Sequence, residues 1–364
     1  MRIHFQLKSP TYPSTKHLSG CHLISKPATQ TDVAKAAEVS TATVSRVLNQ
    51  PDSVKPAVRE RVLNAIAQLN YVADAAARAL ASKRSGTIGA VIPTLSNAIF
   101  ADGIEAFEST LNAANLSLML TTFAYDPQQE LAQVRTLIER GVDAILLVGL
   151  KHDPLIYQLL AQRNIPFVET WAYRDDPNYP CVGFDNSKAA LQAPQYLLDL
   201  GHRDFAVISG VAKDNDRVQD RLASMQALFT EHGIHLDEEN IKQCPFDIAA
   251  GRLACRQLMS QDIPPTAIIC TNDVLAIGAL LECQATGIAV PEQVSITGFD
   301  DLPLSANLTP ALTTLHIPFK SMGEQAAHYL VEKLAGNKPN ANTEVDVQLI
   351  VRQSTGPAPR LSVN

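Results

Sequence analysis

The chain is poor in aromatic residues: they fill 5% of its 364 positions, with one tryptophan. An aromatic at the end of a strand is therefore a candidate for more than packing. No run reaches the roughly 18 apolar residues of a membrane-spanning helix, so no membrane partner is expected. The six cysteines (Cys21, Cys181, Cys244, Cys255, Cys270, Cys283) show no C-x-x-C spacing, and several sit in apolar runs such as 267–270. Buried reduced thiols in a cytoplasmic protein are the simplest account. The histidines form no metal array: His232 and His235 lie three apart, but no Cys, Asp or Glu motif completes a site. No metal and no cofactor is expected. Residues 1–27 are basic and polar, without the apolar stretch of a secretory signal. They read as a disordered extension, or as a start codon assigned too early.

What is present exceeds one ordinary core. A chain of 364 residues, 46% hydrophobic, implies two or three folding units. Its charge is unevenly placed. Residues 1–85 carry twelve Lys/Arg against five Asp/Glu, a net +7, while the remainder carries 18 against 32, a net −14. A basic head on an acidic body is what a nucleic-acid contact confined to one end requires. A basic tail is the alternative, since residues 1–27 supply +4 of the +7.

Residues 28–82 are Ala-rich and helical in pattern. From 86 to 344, short apolar runs alternate with amphipathic helices. Strands are expected at 87–92, 116–121, 144–148, 167–170, 205–208, 267–270 and 294–297, and one more at 345–351. Helices are expected between them, including 100–115, 127–140, 154–163, 188–200, 217–232 and 274–286. Strands of four to six residues alternating with longer helices form parallel βαβ units. The fold class is α/β: two doubly wound parallel-sheet lobes behind an all-α head. Ligands of such lobes bind at the carboxyl ends of the strands.

In the head, residues 32–37 make a short helix, capped by Thr31 or Thr29. Val39 sits in a tight turn, and Ser40 caps a second helix, 41–49. Val33, Ala34, Ala37, Val44, Val47 and Leu48 can share one buried face. A third helix, 57–69, adds Val58, Val62, Leu63, Ile66 and Leu69. The outward face of the second helix shows Thr41, Ala42, Ser45, Arg46 and Asn49. This is a helix-turn-helix whose second helix fits a major groove, with Arg46 able to grip guanine bidentately. A plain three-helix bundle is the alternative on pattern alone.

The strings DVA at 32–34, VSTATVSRVLN at 39–49, RERV at 59–62, NY at 70–71 and AARAL at 76–80 resemble the head of the lactose/galactose-repressor (LacI/GalR) family. The order and spacing hold over more than fifty positions. The resemblance implies that Thr41 and Ala42 read bases. Arg46 and Asn49 complete the contacts, with Thr43 and Ser45 near phosphates. It also implies a hinge helix at 75–82 that orders on operator DNA and wedges Leu80 into the minor groove, a sound device for kinking a duplex. Two positions depart from the family: Glu38 stands where the turn usually has Gly, and Ala73-Asp74 stands where the hinge usually begins Pro-Asn. Either weakens binding slightly.

The rest of the chain is similar to the same family, and through it to periplasmic sugar-binding proteins. The clearest strings are NDVLAIG at 272–278, GIAVPEQVSITGFD at 287–300 and LTT at 312–314. The implied domains are an extension at 1–27, a head at 28–74 and a hinge at 75–85. Then come an N-terminal lobe at 86–187 plus 317–345, a C-terminal lobe at 188–316 plus 346–356, and a tail at 357–364. Strand ends and resemblance together nominate Ile99, Phe100, Trp171, Arg217, Arg221, Phe246, Asn272, Asp300 and Phe319 as ligand-binding. Each has an ordinary alternative. Ile99, Phe100, Phe246 and Phe319 could be core; Trp171 could cap a lobe edge. Arg217 could be a solvated helix residue, and Asn272 and Asp300 could be helix caps. Arg221 is the favoured anchor.

The expected function is a cytoplasmic transcriptional repressor governed by a sugar or a sugar acid such as gluconate. It would bind a pseudo-palindromic operator as a homodimer, with a tetramer left open. A solute-binding protein would need a signal peptide and no head. A sugar-modifying enzyme would need a paired acid and base or a metal. The Asp300-Asp301 pair does not supply one, because adjacent loop residues seldom point together.

Overall fold

The computed structural model describes residues 27–72 and 84–359. They form two compact units, a head and a core.

The head is built on α1 (Gln30–Ala36), α2 (Thr41–Asn49) and α3 (Pro56–Gln68). Thr29 caps α1 in a capping box: its hydroxyl accepts from Asp32 N, and the Asp32 carboxylate accepts from Thr29 N at 2.9 Å. Ser40 Oγ caps α2 by accepting from Thr43 N at 3.1 Å. Pro56 opens α3, where its missing N–H costs nothing. Val33, Ala34, Ala37, Val44, Val47, Val62 and Ala65 make the core of the head. Leu48 and Leu63, expected inside, are 38% and 50% exposed. Each follows a buried valine, and one helical step turns a side chain about 100° off that face. Glu38 holds the α1–α2 turn at φ +53°, the left-handed region that favours glycine.

In the core, the first lobe comprises β1 (Thr87–Ile92), α4 (Ala98–Ala113), β2 (Ser117–Thr122), α5 (Pro127–Glu139), β3 (Ala144–Val148), α6 (Pro154–Arg163), β4 (Phe167–Thr170) and β5 (Cys181–Gly183). The chain then enters the second lobe through α7 (Asn186–Ala190) and α8 (Gln192–Asp199). There follow β6 (Phe205–Ser209), α9 (Asp216–Glu231), β7 (Ile241–Gln243), α10 (Ile248–Met259), β8 (Ala267–Cys270), α11 (Asp273–Thr286) and β9 (Ser295–Thr297). Beyond β10 (Thr314–His316), α12 (Phe319–Leu334) and β11 (Asn342–Glu344) return to the first lobe, and β12 (Gln348–Ile350) leaves it again. The first sheet runs β11-β5-β4-β3-β1-β2 and the second β7-β6-β8-β9. Both are parallel throughout, so all strand ends of a lobe lie on one edge. Their central strands β3 and β6 are buried along their whole length, as sheets covered on both faces require. On one face of the first sheet α12 packs against α4 so tightly that a Cβ on Gly323 would lie 2.0 Å from Gly103 O.

Two expectations fail in instructive ways. The helix expected at 188–200 is broken at Leu191 into α7 and α8. Pro194 explains the break, because it has no N–H for residue 190 and its ring crowds that carbonyl. The strand expected at 345–351 is shorter, β12 at Gln348–Ile350, and β11 lies just before it on a different sheet. β11 extends the first sheet alongside β5, whereas β12 pairs antiparallel with β10.

Candidate functional site

On the head, α2 presents Thr41, Ala42 and Arg46 to solvent, with Thr43 and Ser45 half-buried. The Thr43 hydroxyl lies 2.9 Å from Ser40 Oγ, which steadies the first turn of the helix. Asn49 closes α2. Small hydroxyls and one guanidinium on a single outward face are groups that can reach phosphates and base edges. Leu80, Ala73, Asp74 and most of the proposed hinge lie outside the described residues.

In the core, the strand ends of both lobes converge on one cleft. All nine residues nominated from the sequence line a single cavity of about 30 Å³ there. Ile99 and Phe100 open α4 beyond β1, and Trp171 follows β4. Arg217 and Arg221 lie in the first turns of α9, Phe246 follows β7, and Asn272 follows β8. Asp300 lies beyond β9, and Phe319 opens α12. A wider cavity of about 710 Å³ shares Asn97, Tyr125, Asn215 and Phe246 with it.

Arg221 is buried, donating from Nε to Asn186 Oδ1 at 2.8 Å and from Nη1 to Thr271 O at 2.9 Å. Its guanidinium carbon lies 3.6 Å from the centre of the Phe299 ring. Burial pushes its pKa down to about 10, although the Asp300 carboxyl works the other way. Asn272 caps α11 through Oδ1, 2.8 Å from Val274 N, and donates from Nδ2 to Asp300 Oδ2. It is thus both cap and cavity wall. Burial holds Asp300 well above the usual carboxylate range, and Asp273 pushes the same way. Asp300 sits at φ +125° and Trp171 at φ +63°, strained backbone that this cleft preserves. The Trp171 ring centre lies 5.2 Å from that of Phe100 and 6.3 Å from that of Phe319, and its buried Nε1 has no hydrogen-bond partner. Asp301 turns away from Asp300: it accepts from Arg352 at 2.6 Å and pairs with His316 at 3.0 Å.

Three participants were not read from the sequence. Asn186 is buried and joins Arg221 to the backbone of Trp171 through Nδ2, 3.0 Å from Trp171 O. Tyr125 follows β2 at φ +61° and sets its ring 6.2 Å from that of Phe246. Asn97 caps α4 and lines both cavities. The available signal was position alone, since each lies within a few residues of a strand end.

Comparison with known proteins agrees with this geometry. Residues 29–74 match the model of bacterial regulatory proteins of the lacI family, and residues 195–355 match the periplasmic binding protein-like domain. The HTH-type transcriptional repressor PurR of Erwinia tasmaniensis is 34% identical over 335 residues, 91% of this chain and 98% of that protein. The chain belongs to the LacI family. CytR, an HTH-type transcriptional repressor of Escherichia coli K12, is 33% identical over 334 residues, 91% of this chain and 97% of its own length. The structure of the lac repressor dimer bound to operator and the anti-inducer ONPF superposes with a TM-score of 0.80 at 26% identity, covering 91% of this chain and all of that one. This LacI-family protein is a DNA-binding transcriptional repressor with a ligand-binding core, and not an enzyme. No helix among the described residues is long and apolar enough to cross a membrane. No group of three His, Cys, Asp or Glu among them could hold a metal ion.

Proposed function

We propose that this repressor answers to a small polyhydroxylated ligand, a sugar or a sugar acid such as gluconate, held between the two lobes of the core. One observation supports it above the rest. Trp171, with an unpartnered buried donor, lines the same cavity as the buried polar groups of Arg221, Asn272 and Asp300. An indole face suits the C–H face of a sugar ring, and an unpartnered buried donor set among buried polar groups suits ligand hydroxyls. Arg217 and Arg221 extend the range to a carboxylate or a phosphate ester. The aromatic pair Tyr125–Phe246 favours a second reading, a ligand that carries a flat ring as well as hydroxyls, such as a nucleoside.

On DNA, Thr41 and Ala42 read bases, Arg46 and Asn49 complete the contacts, and Thr43 and Ser45 lie near phosphates. Leu80 wedges into the minor groove. Two copies of the chain form the homodimer that a pseudo-palindromic operator needs. Ligand closure of the lobes biases that dimer between two operator affinities, a coupling between distinct sites.

The test is a thermal-shift screen of the full chain against sugars, sugar acids, sugar phosphates and nucleosides, followed by footprinting with and without the hit. A genuine effector at about 100 times its Kd adds about 2.7 kcal/mol to the stability of the core. The footprint should be an inverted repeat of about 14–20 bp, set by half-sites one helical turn apart. No shift with any of these compounds overturns the ligand reading.

A further inference from the structure

Arg217 lines the cavity, yet its guanidinium is engaged with the opposite lobe. The neighbouring Asp216, first residue of α9 in the second lobe, reaches the same way. Asp216 Oδ2 accepts from Leu150 N at 2.6 Å and from Lys151 N at 3.2 Å, amides just beyond β3 in the first lobe. Its Oδ1 accepts from Arg217 N at 2.9 Å and from Arg217 Nη1 at 2.8 Å. That same Nη1 donates to Val148 O, the last residue of β3, at 3.3 Å. The approach is close, and a side chain at 149 would displace it. A Cβ there would lie 2.3 Å from Arg217 Nη1 and 2.9 Å from Asp216 Oδ1, and the φ of +99° is itself rare for other residues.

The loop is also tied to its own lobe. His152 Nε2 lies 3.1 Å from Gly149 O, and its Nδ1 lies 2.8 Å from Glu130 Oε1. These bonds hold the loop to the first lobe, so parting of the lobes works against the bonds to Asp216. Burial alone would raise the Asp216 pKa, but Arg217 and the Leu150 amide outweigh it, so the carboxylate is held below its usual range. A charged acceptor on two amides is among the stronger hydrogen-bonding arrangements.

We propose that Asp216 and Arg217 form a ligand-independent clasp that sets how far the lobes stay closed before any effector arrives. They are positioning residues for the cleft. A ligand that prefers the closed form binds with an affinity reduced by the fraction of molecules not already closed, so the clasp tunes effector sensitivity. That last consequence rests on the cleft being the effector site; the effect on closure does not.

Trp171 makes closure measurable without an effector. It is the only tryptophan in the chain, it lines the cleft, and it is 3% exposed. The experiment compares acrylamide quenching of Trp171 and amide exchange at Leu150 and Lys151 in wild type, D216A, D216N and G149A, all full length. D216A and G149A attack the clasp from opposite lobes. Both should raise the quenching constant roughly twofold or more as an open minor state becomes a major one. D216N keeps the size and one acceptor, and gives a smaller change in the same direction if D216A fails to fold. Faster exchange at Leu150 and Lys151 with Trp171 quenching unchanged in every folded variant would mean that Asp216 merely caps a loop, and would overturn the proposal. Because no effector is added, this result is independent of which ligand the cleft takes.

Discussion

The Arg221 guanidinium donates to Asn186 Oδ1 and Thr271 O and stacks on Phe299, so its removal bears on the fold as well as on a ligand. The two roles separate by choice of substitution. Lysine keeps the charge but cannot reproduce the planar fork, and leaves a buried cation with fewer partners. R221K should lose about 1–3 kcal/mol in denaturant unfolding of the core. R221M removes the donors as well and leaves Asn186 Oδ1 and Thr271 O buried without them, so it should cost at least as much and abolish effector response, whereas R221K should keep a weakened response. Equal loss of response in two equally destabilised variants would deny the separation. The nine cleft residues were legible from strand ends and the family resemblance together: a parallel sheet sends every strand end to one edge, but Phe246 and Phe319 follow strands too short to be read. Tyr125 was not legible, for a physical reason. Ala124 and Tyr125 both take left-handed backbone, at φ +51° and +61°, with no Gly or Asn to announce it.

Among elements, the helices α4, α5, α6, α9 and α11 and the buried strands β1, β3, β4 and β8 followed from hydrophobic period, whereas α12 was not expected and neither were the strands β5, β7 and β10. Each of these three strands is three residues long, too short to show alternation, and exists because a neighbouring strand offers it a ladder. β11 went unread for the same reason: it too is three residues long, and it precedes the apolar run that marks β12. The β3–α6 loop carries chemistry that periodicity also misses. Both ring nitrogens of His152 face acceptors, the Gly149 carbonyl and the Glu130 carboxylate, so the ring has to donate twice and favours its charged form. Burial lowers the His152 pKa, but the Glu130 hydrogen bond and charge, with Glu169 at 3.9 Å, carry it above 6.5. A raised folded-state value means that the stabilisation is complete below 6.5 and is lost as pH climbs through the folded-state pKa. Core stability should therefore fall on the alkaline side of 6.5, by about 1.4 kcal/mol for each pH unit between the two values. H152Q should lack that slope. A wild-type profile as flat as that of H152Q would show that the histidine stays neutral.

For the whole molecule, the positive charge expected of the head lies mostly beside it. The described head, residues 27–72, carries five Lys/Arg against four Asp/Glu, a net +1, and Arg59 pairs with Asp52 at 3.3 Å. Most of the positive excess lies in the flanks: residues 1–25 hold Arg2, Lys8 and Lys16 with no acidic residue, and Arg78, Lys83 and Arg84 follow the head. Sequence reading and sequence-independent attraction are therefore expected of different parts of the chain. Phosphate contacts release counterions and steepen salt dependence, whereas base contacts add discrimination with little change of slope. Deleting residues 1–25 should reduce the slope of log K against log salt by up to about 3 and weaken operator and random DNA alike. R46A should cost about 1–3 kcal/mol on operator DNA and far less on random sequence. Binding titrations of both variants on both DNAs, at several salt concentrations, distinguish the two contributions. If R46A binds operator as well as wild type does, α2 is not the reading helix. If the deletion leaves the salt slope unchanged, the basic extension takes no part in holding DNA, and the charge asymmetry has to be explained by the residues that follow the head.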